Sequence, residues 1–139
     1  MDKSPARKAA EQYIETANDH DLDGWTELFA PTVEVWGGEE VSRDELRAGQ
    51  EVLFDAFPDG HFDLHSIVSE GNQTVFRLTF SGTHENAYFN IEPTGESVEV
   101  PEMIMISVNP DTGLIDGAWI LYDRLGFHEQ LNVLEDPIQ

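Results

Sequence analysis

Residues 114–123 read Leu-Ile-Asp-Gly-Ala-Trp-Ile-Leu-Tyr-Asp. The run is apolar, short, and entered from the turn formers Pro110-Asp111-Thr112-Gly113, which marks it as a β-strand. Trp119 and Leu121 fall on one face at the two-residue period, with Ile115 and Gly117 behind them. The next step of that period is Asp123. If this face lines a pocket, Asp123 sits in a dry environment, where a carboxylate's pKa rises towards that of a useful proton shuttle. Two plainer readings stand beside this one. Asp123 reaches water at the strand end, or it caps a short helix over 125–131.

Working back from this strand, the alternation continues. In 98–108, Ile104, Ile106 and Val108 face one way and Met103 and Met105 the other, so both faces are covered. Phe76, Leu78 and Phe80 alternate with Arg77, Thr79 and Ser81, in a strand that runs on through Gly82-Thr83-His84. Phe62 and Leu64 oppose Asp63, His65 and Ile67 in the strand before it, and Glu70-Gly71-Asn72 makes the hairpin between the two.

Upstream of His61 the period is helical. Ser4-Pro5 starts a helix with Ala6, Ala10, Tyr13, Ile14 and Ala17 on its apolar side. Asp21 caps a second, short helix carrying Trp25, Leu28 and Phe29, which Pro31 ends. A brief strand over 32–36 closes at Gly37-Gly38. Ser42-Arg43-Asp44-Glu45 is a capping box, with Val41 placed to staple onto Leu46, and the helix it opens stops at Pro58-Asp59-Gly60. Helices first and an antiparallel meander second predict an α+β fold, with helices packed on one face of a curved sheet, as a single domain over 1–139. A sheet apolar on both faces needs a second cover, and a two-fold homodimer, or a higher homo-oligomer, supplies it. Ile120, Tyr122, Met103 and Met105 are the expected interface.

Charge narrows the partners. The chain carries 28 Asp and Glu against 7 Lys and Arg, a formal net charge of −21, and the acids are dispersed along its length. Such a field repels nucleic acid and anionic membrane, so neither is an expected partner. It fits a halophile's protein, working where salt screens the self-repulsion. With no cysteine there is no disulfide and no thiolate site. The N-terminal residues lack a signal peptide's apolar region, which points to the cytoplasm. His61 and His65 have no third ligand at a sensible spacing, so no metal site is expected.

Five short motifs stand in order: Ala-Phe-Pro-Asp at 56–59, Gly-Thr-His at 82–84, Pro-Thr-Gly at 93–95, Trp-Ile-Leu-Tyr-Asp-Arg-Leu-Gly at 119–126, and Glu-Gln-Leu at 129–131. Together they resemble the SnoaL-like polyketide cyclases, or ester cyclases, of the nuclear transport factor 2-like (cystatin-like) superfamily. The resemblance implies a cone, a bent sheet wrapped around N-terminal helices with a deep pocket between. It also implies a cofactor-independent enzyme whose aspartate takes a proton from carbon beside a carbonyl, leading to ring closure. By position in the Trp-x-x-x-Asp pattern that aspartate is Asp123. The family's cyclases place a histidine in the penultimate strand. Residues 98–108 contain none, and His84 is the nearest substitute. Glu102 shares a face with Ile104, which directs it to the same cavity. Tyr13, Trp36, Phe57 and Trp119 are the aromatic residues expected to line the pocket, Tyr13 with a hydroxyl to offer.

The expected function is therefore acid/base chemistry on a small hydrophobic carbonyl compound. A non-catalytic cone holding a small hydrophobic ligand is the alternative. A third possibility is a dimerisation module with a filled cone, which a cavity of about 300 Å³ or more reaching Asp123 would exclude. The charge predicts that the melting temperature falls as salt is diluted from molar concentration to dilute buffer; a thermal scan across salt checks this, and an unchanged midpoint contradicts it.

Overall fold

The computed structural model describes residues 4–133. The first helix, α1 (Pro5–Asn18), starts where Ser4 accepts a hydrogen bond from the Arg7 amide at 3.2 Å, with Pro5 in its first turn. Helix α2 (Leu22–Thr26) is capped by Asp21 and is shorter than the periodicity implied. Strand β1 (Phe29–Glu34) begins at Phe29 rather than at residue 32. Pro31 does not stop it, because β1 is irregular against its neighbour between Phe29 and Glu34 and its other pairing starts at Thr32, so the missing N–H is not needed there. A turn of 3-10 helix (Trp36–Gly38) and a short edge strand, β2 (Glu40–Ser42), follow. The capping box then opens α3 (Arg43–Ala56), with the Glu45 amide donating to Ser42 Oγ at 3.2 Å.

Strands β3 (His61–Glu70), β4 (Gln73–Thr83), β5 (Ser97–Val108) and β6 (Ile115–Tyr122) form an antiparallel meander, and α4 (Arg124–Gln130) closes the described fold. The six strands lie in the order β2-β1-β6-β5-β4-β3, with β1 and β6 parallel and the other pairs antiparallel. This is the α+β cone, helices on the concave face of a curved, mostly antiparallel sheet. No helix among the described residues is long and apolar enough to cross a membrane.

The helices are tied to the sheet at named points. Asn18 exchanges two hydrogen bonds with the backbone of Phe62, at 2.7 and 3.0 Å, joining the end of α1 to the start of β3. Arg43 donates to the Phe29 carbonyl at 3.1 Å, and Arg47 pairs with Asp23 at 2.7 Å, holding α3 against β1 and α2. Between the layers lie Phe29, Phe57, Phe76, Leu78, Ile104, Ile106 and Ile115, all fully buried.

The register of β5 with β6 corrects the face assignment made from sequence. Met103 sits opposite Leu121, and Met105 opposite Trp119. Ile104 and Ile106 are buried, whereas Met103 is 49% exposed, so the methionine side is the outer one. Trp119 and Leu121 therefore point outward. Ile120, opposite Ile104, and Tyr122, opposite Glu102, point inward. The cause is a bulge between Ser107 and Val108, which skips Asp116. Ile115 is buried inside, but Gly117 lies on the outer face, where its missing Cβ makes room for the Trp119 indole. The outer apolar surface is thus Trp36, Met103, Trp119 and Leu121, without Ile120 or Tyr122.

Asp21 and Asp123 open their helices in the same way. Each carboxylate accepts from the amide three residues on, Gly24 and Gly126, at 3.0 Å. Each folds so closely over that glycine that a Cβ there would collide with it. Asp123→Ala is expected to cost about 1 kcal/mol in chemical denaturation, and Asp123→Asn much less, since asparagine caps equally well. Equal losses in the two variants would contradict the capping role.

Candidate active site

Strand alternation places one carboxylate on the inner face of β5. Glu102 stands between Leu78 on β4 and Tyr122 on β6, in the series that continues as Ile104, Ile106 and Val108. It lines a pocket of about 230 Å³ between the sheet and α3. The walls are apolar: Leu53, Phe62, Phe80, Phe89, Val100, Ile120 and Phe127. The polar lining is Glu102, Gln50 and the three tyrosines Tyr13, Tyr88 and Tyr122.

Burial pushes the Glu102 carboxyl up to about 7, because the charged form loses hydration. Burial first, and the Glu102 charge in smaller part, raise Tyr13, Tyr88 and Tyr122 above the ordinary phenol range, with Arg124 acting in the opposite sense on Tyr88 and Tyr122. All three hydroxyls therefore stay protonated at neutral pH and can donate hydrogen bonds. The site offers a proton acceptor that is part-ionised near neutrality, neutral donors around it, and hydrophobic walls.

The walls come from two segments besides the sheet. Helix α3 supplies Gly49, Gln50 and Leu53. The β4–β5 connection supplies Tyr88 and Phe89, held by reciprocal backbone hydrogen bonds between Tyr88 and Ile91, both 2.9 Å. Phe89 adopts a left-handed backbone (φ 52°) and stays 63% exposed at the rim.

Of the residues singled out from sequence, Tyr13 and Glu102 meet in this pocket. Phe57 is fully buried one layer behind it, against Phe80, Tyr88 and Phe127. Trp36 and Trp119 are on the other side of the sheet, where they border an outer apolar groove, and the Trp36 indole donates to the Ile120 carbonyl at 2.8 Å. His84 is buried behind Phe57 and does not line the pocket. Its Nδ1 accepts from the Thr94 amide at 3.2 Å, which leaves the proton on Nε2. Burial holds its pKa below the usual imidazole value, so His84 is a neutral clamp on the connection that carries Tyr88 and Phe89.

Asp123 is exposed. It follows Leu121 on the outer side, caps α4, and borders an open depression with His65, Arg77, Met103 and Leu121, which Glu102 and Tyr122 line as well as the inner pocket. The dry setting expected for it belongs to Glu102 instead. The inward series of β6 ends at Tyr122, so the apolar walls never reach Asp123.

Sequence reading passed over Gln50 and Tyr88, and assigned Tyr122 to the outer interface rather than to this pocket. Gln50 interrupts the apolar helical face of Leu46 and Leu53, which is a legible signal. Tyr88 and Phe89 are adjacent aromatics inside a connection read as plain loop. Tyr122 needed the strand register. Among the described residues, no group of three or more His, Cys, Asp or Glu could hold a metal ion.

A family model described as SnoaL-like polyketide cyclase matches residues 7–131. No curated protein matches the chain. Solved structures share the fold at low identity. TsrD from Streptomyces laurentii is 24% identical, with a TM-score of 0.83 over 96% of this chain and 99% of that one. AclR from Streptomyces galilaeus, a suggested hydroxylase, is 21% identical, with a TM-score of 0.82 over 94% and 97%. A proposed SnoaL-like polyketide cyclase from Jannaschia sp. CCS1 is 19% identical, with a TM-score of 0.80 over 98% and 99%.

A carboxyl that holds its proton more tightly in the folded than in the unfolded state favours folding at low pH, and that contribution is lost as pH rises through the folded value. For Glu102 the window runs from the ordinary glutamate range up to about 7. Glu102→Gln should therefore gain stability relative to wild type at about pH 8 and lose that advantage at about pH 4. Melting curves at the two pH values check it; a difference independent of pH contradicts the burial of this charge.

Proposed function

The chain belongs to the SnoaL-like polyketide cyclase family, and from that premise we propose a cofactor-independent acid/base enzyme acting on a small, largely apolar carbonyl compound. Glu102 is the proton shuttle. The observation that carries this reading is a single carboxylate on the floor of an aromatic pocket, pushed up to about 7 by burial and ringed by neutral hydroxyls. A base must be ionised to accept a proton and basic enough to take one from carbon, and a pKa near the working pH serves both needs. As the proton moves to Glu102, negative charge develops on the carbonyl oxygen. Neutral donors around a newly neutral Glu102 can stabilise that charge, whereas a second anion would oppose it.

Pocket size limits the substrate. At about 230 Å³ it lies below the usual range of about 300–1,000 Å³ for ligand pockets, which favours a one- or two-ring compound over a larger polycycle. A second reading, a non-catalytic cone that only holds such a compound, fits the same walls. On the outer face, a second copy of the chain is our proposed cover for Trp36, Met103 and Leu121, each about half exposed or more.

Solvent deuterium exchange at the carbon next to the carbonyl of small aryl ketones, followed by NMR, tests the activity. Wild type should exchange acetophenone at a rate that rises with pH through about 7 and then levels, as Glu102 ionises. Glu102→Gln should lower the rate by about 100- to 10,000-fold, while Asp123→Asn should leave it close to wild type. Exchange at the bare-buffer rate in wild type, with the ketone bound, would replace the enzyme with the binding protein.

A further inference from the structure

Three tyrosines share the pocket with Glu102, and they are not equivalent. Tyr13 is 3% exposed and packs edge-on against Trp25, Phe29 and Phe76. Tyr122 is 37% exposed, so its side chain stays open to an incoming molecule. Tyr88 enters from the β4–β5 connection, and its hydroxyl meets that of Tyr122 in a hydrogen bond. Tyr88 donates and Tyr122 accepts, because the bond tightens the Tyr88 proton and loosens that of Tyr122. The Tyr122 proton is therefore not used within the pair. Nor is it used on Glu102, whose proton affinity is set by burial.

Strand register puts Tyr122 beside the base. Glu102 and Tyr122 are directly opposed on antiparallel strands and share the inner face. Side chains so placed start about 5 Å apart at Cβ. Phe127, on α4, packs edge-on against both tyrosines, with ring centres 5.5 Å from Tyr88 and 6.2 Å from Tyr122. The start of α4 is fixed in turn by the Asp123 cap. Proton abstraction next to a carbonyl needs this arrangement. The oxygen is two bonds from the carbon that loses its proton, so base and donor must stand side by side. A donor on the far wall would not serve.

We infer that Tyr122 is the catalytic residue that donates to the substrate's carbonyl oxygen, with Tyr88 as the positioning residue behind it. The inference rests on the reading of this pocket as a site for carbonyl compounds, and not on turnover. When Glu102 takes the proton, the C–H electron pair becomes the new carbon–carbon double bond and the carbonyl π pair moves onto oxygen. Tyr122 holds that charge through a hydrogen bond and keeps its own proton. Return of the proton from Glu102 to carbon reverses the step, so no co-reactant is consumed. A phenol that accepts one hydrogen bond gives a stronger one, so Tyr88 strengthens the donor without giving its proton to the substrate.

Acetophenone labelled with carbon-13 at the carbonyl reads this bond directly. Infrared difference spectra of the wild-type complex should show the carbonyl stretch lowered from its position in an apolar solvent. Tyr122→Phe removes only the hydroxyl and keeps the ring against Phe127. It should return the stretch to the apolar position, weaken binding by about three- to ten-fold and slow exchange by about 100-fold. Tyr88→Phe should return the stretch part of the way and slow exchange less. Tyr13→Phe should leave the stretch where it is. Glu102→Gln should slow exchange yet keep the lowered stretch, so base and donor are read separately. An unchanged stretch in Tyr122→Phe overturns the donor assignment even if exchange depends on Glu102. An unchanged stretch and exchange rate in Tyr88→Phe overturns the role given to the pair. Exchange at the bare-buffer rate in wild type, with the stretch lowered, overturns the enzyme and leaves the donor. Failure of acetophenone to bind wild type at millimolar concentration overturns the pocket reading and the donor together.

Discussion

A carboxylate on the inner face of an apolar strand, with no ion-pair partner, must either give up its charge or hold it at a cost in hydration. Glu102 is in that position among the described residues. The strand that carries it is otherwise a hydrophobic series, and alternation leaves no freedom about which way it points. The two nearest arginines in sequence terms do not relieve it. Arg77 stands opposite Met103, on the outer face, and Arg124 begins α4. In a chain with 7 Lys and Arg, and with Arg43 and Arg47 spent on fastening α3, the interior acid has no ion-pair partner among the described residues. Its raised proton affinity is a property of the architecture.

The same architecture keeps the surroundings fixed. Phe57 packs edge-on or tilted against Phe80, Tyr88 and Phe127, and so links the end of α3, the sheet, the β4–β5 connection and α4. His84, often the residue one would assign to chemistry, is a positioning element here. Stacked on Phe57 and bonded to Thr94, it sets the connection from which Tyr88 and Phe89 reach the pocket. A functional wall built on a loop is precise only if something pins the loop, and a neutral buried imidazole does that without adding charge next to Glu102.

Much of this was legible in residue order. The caps at Ser4, Asp21 and Ser42, the hairpin at Gly71 and the alternation of β4 and β5 announce helices on a curved sheet, and the family motifs agree. Glu102 was visible as an acid sharing the face of Ile104. The phase of β6 was not legible, because Trp119 and Leu121 are as apolar as Ala118 and Ile120, and a bulge at Asp116 breaks the period between Ile115 and Trp119. That one break sends Trp119 outward and, two steps further on, strands Asp123 at a helix cap. The salience of Asp123 in sequence comes from its place at the end of an apolar run. Capping residues occupy such places for their own reason, and only the register distinguishes the two. Gln50 could be read only as a helix residue until the opposite wall was known.

The claim at the centre is that Glu102 holds a proton close to neutrality inside the folded chain. Carbon-13 NMR of protein labelled at the glutamate side-chain carboxyl, with Glu102 assigned by its loss in Glu102→Gln, measures that directly. The account predicts that this resonance titrates near 7. A midpoint in the ordinary glutamate range, about 4.3, would mean that water reaches the carboxylate and would contradict it.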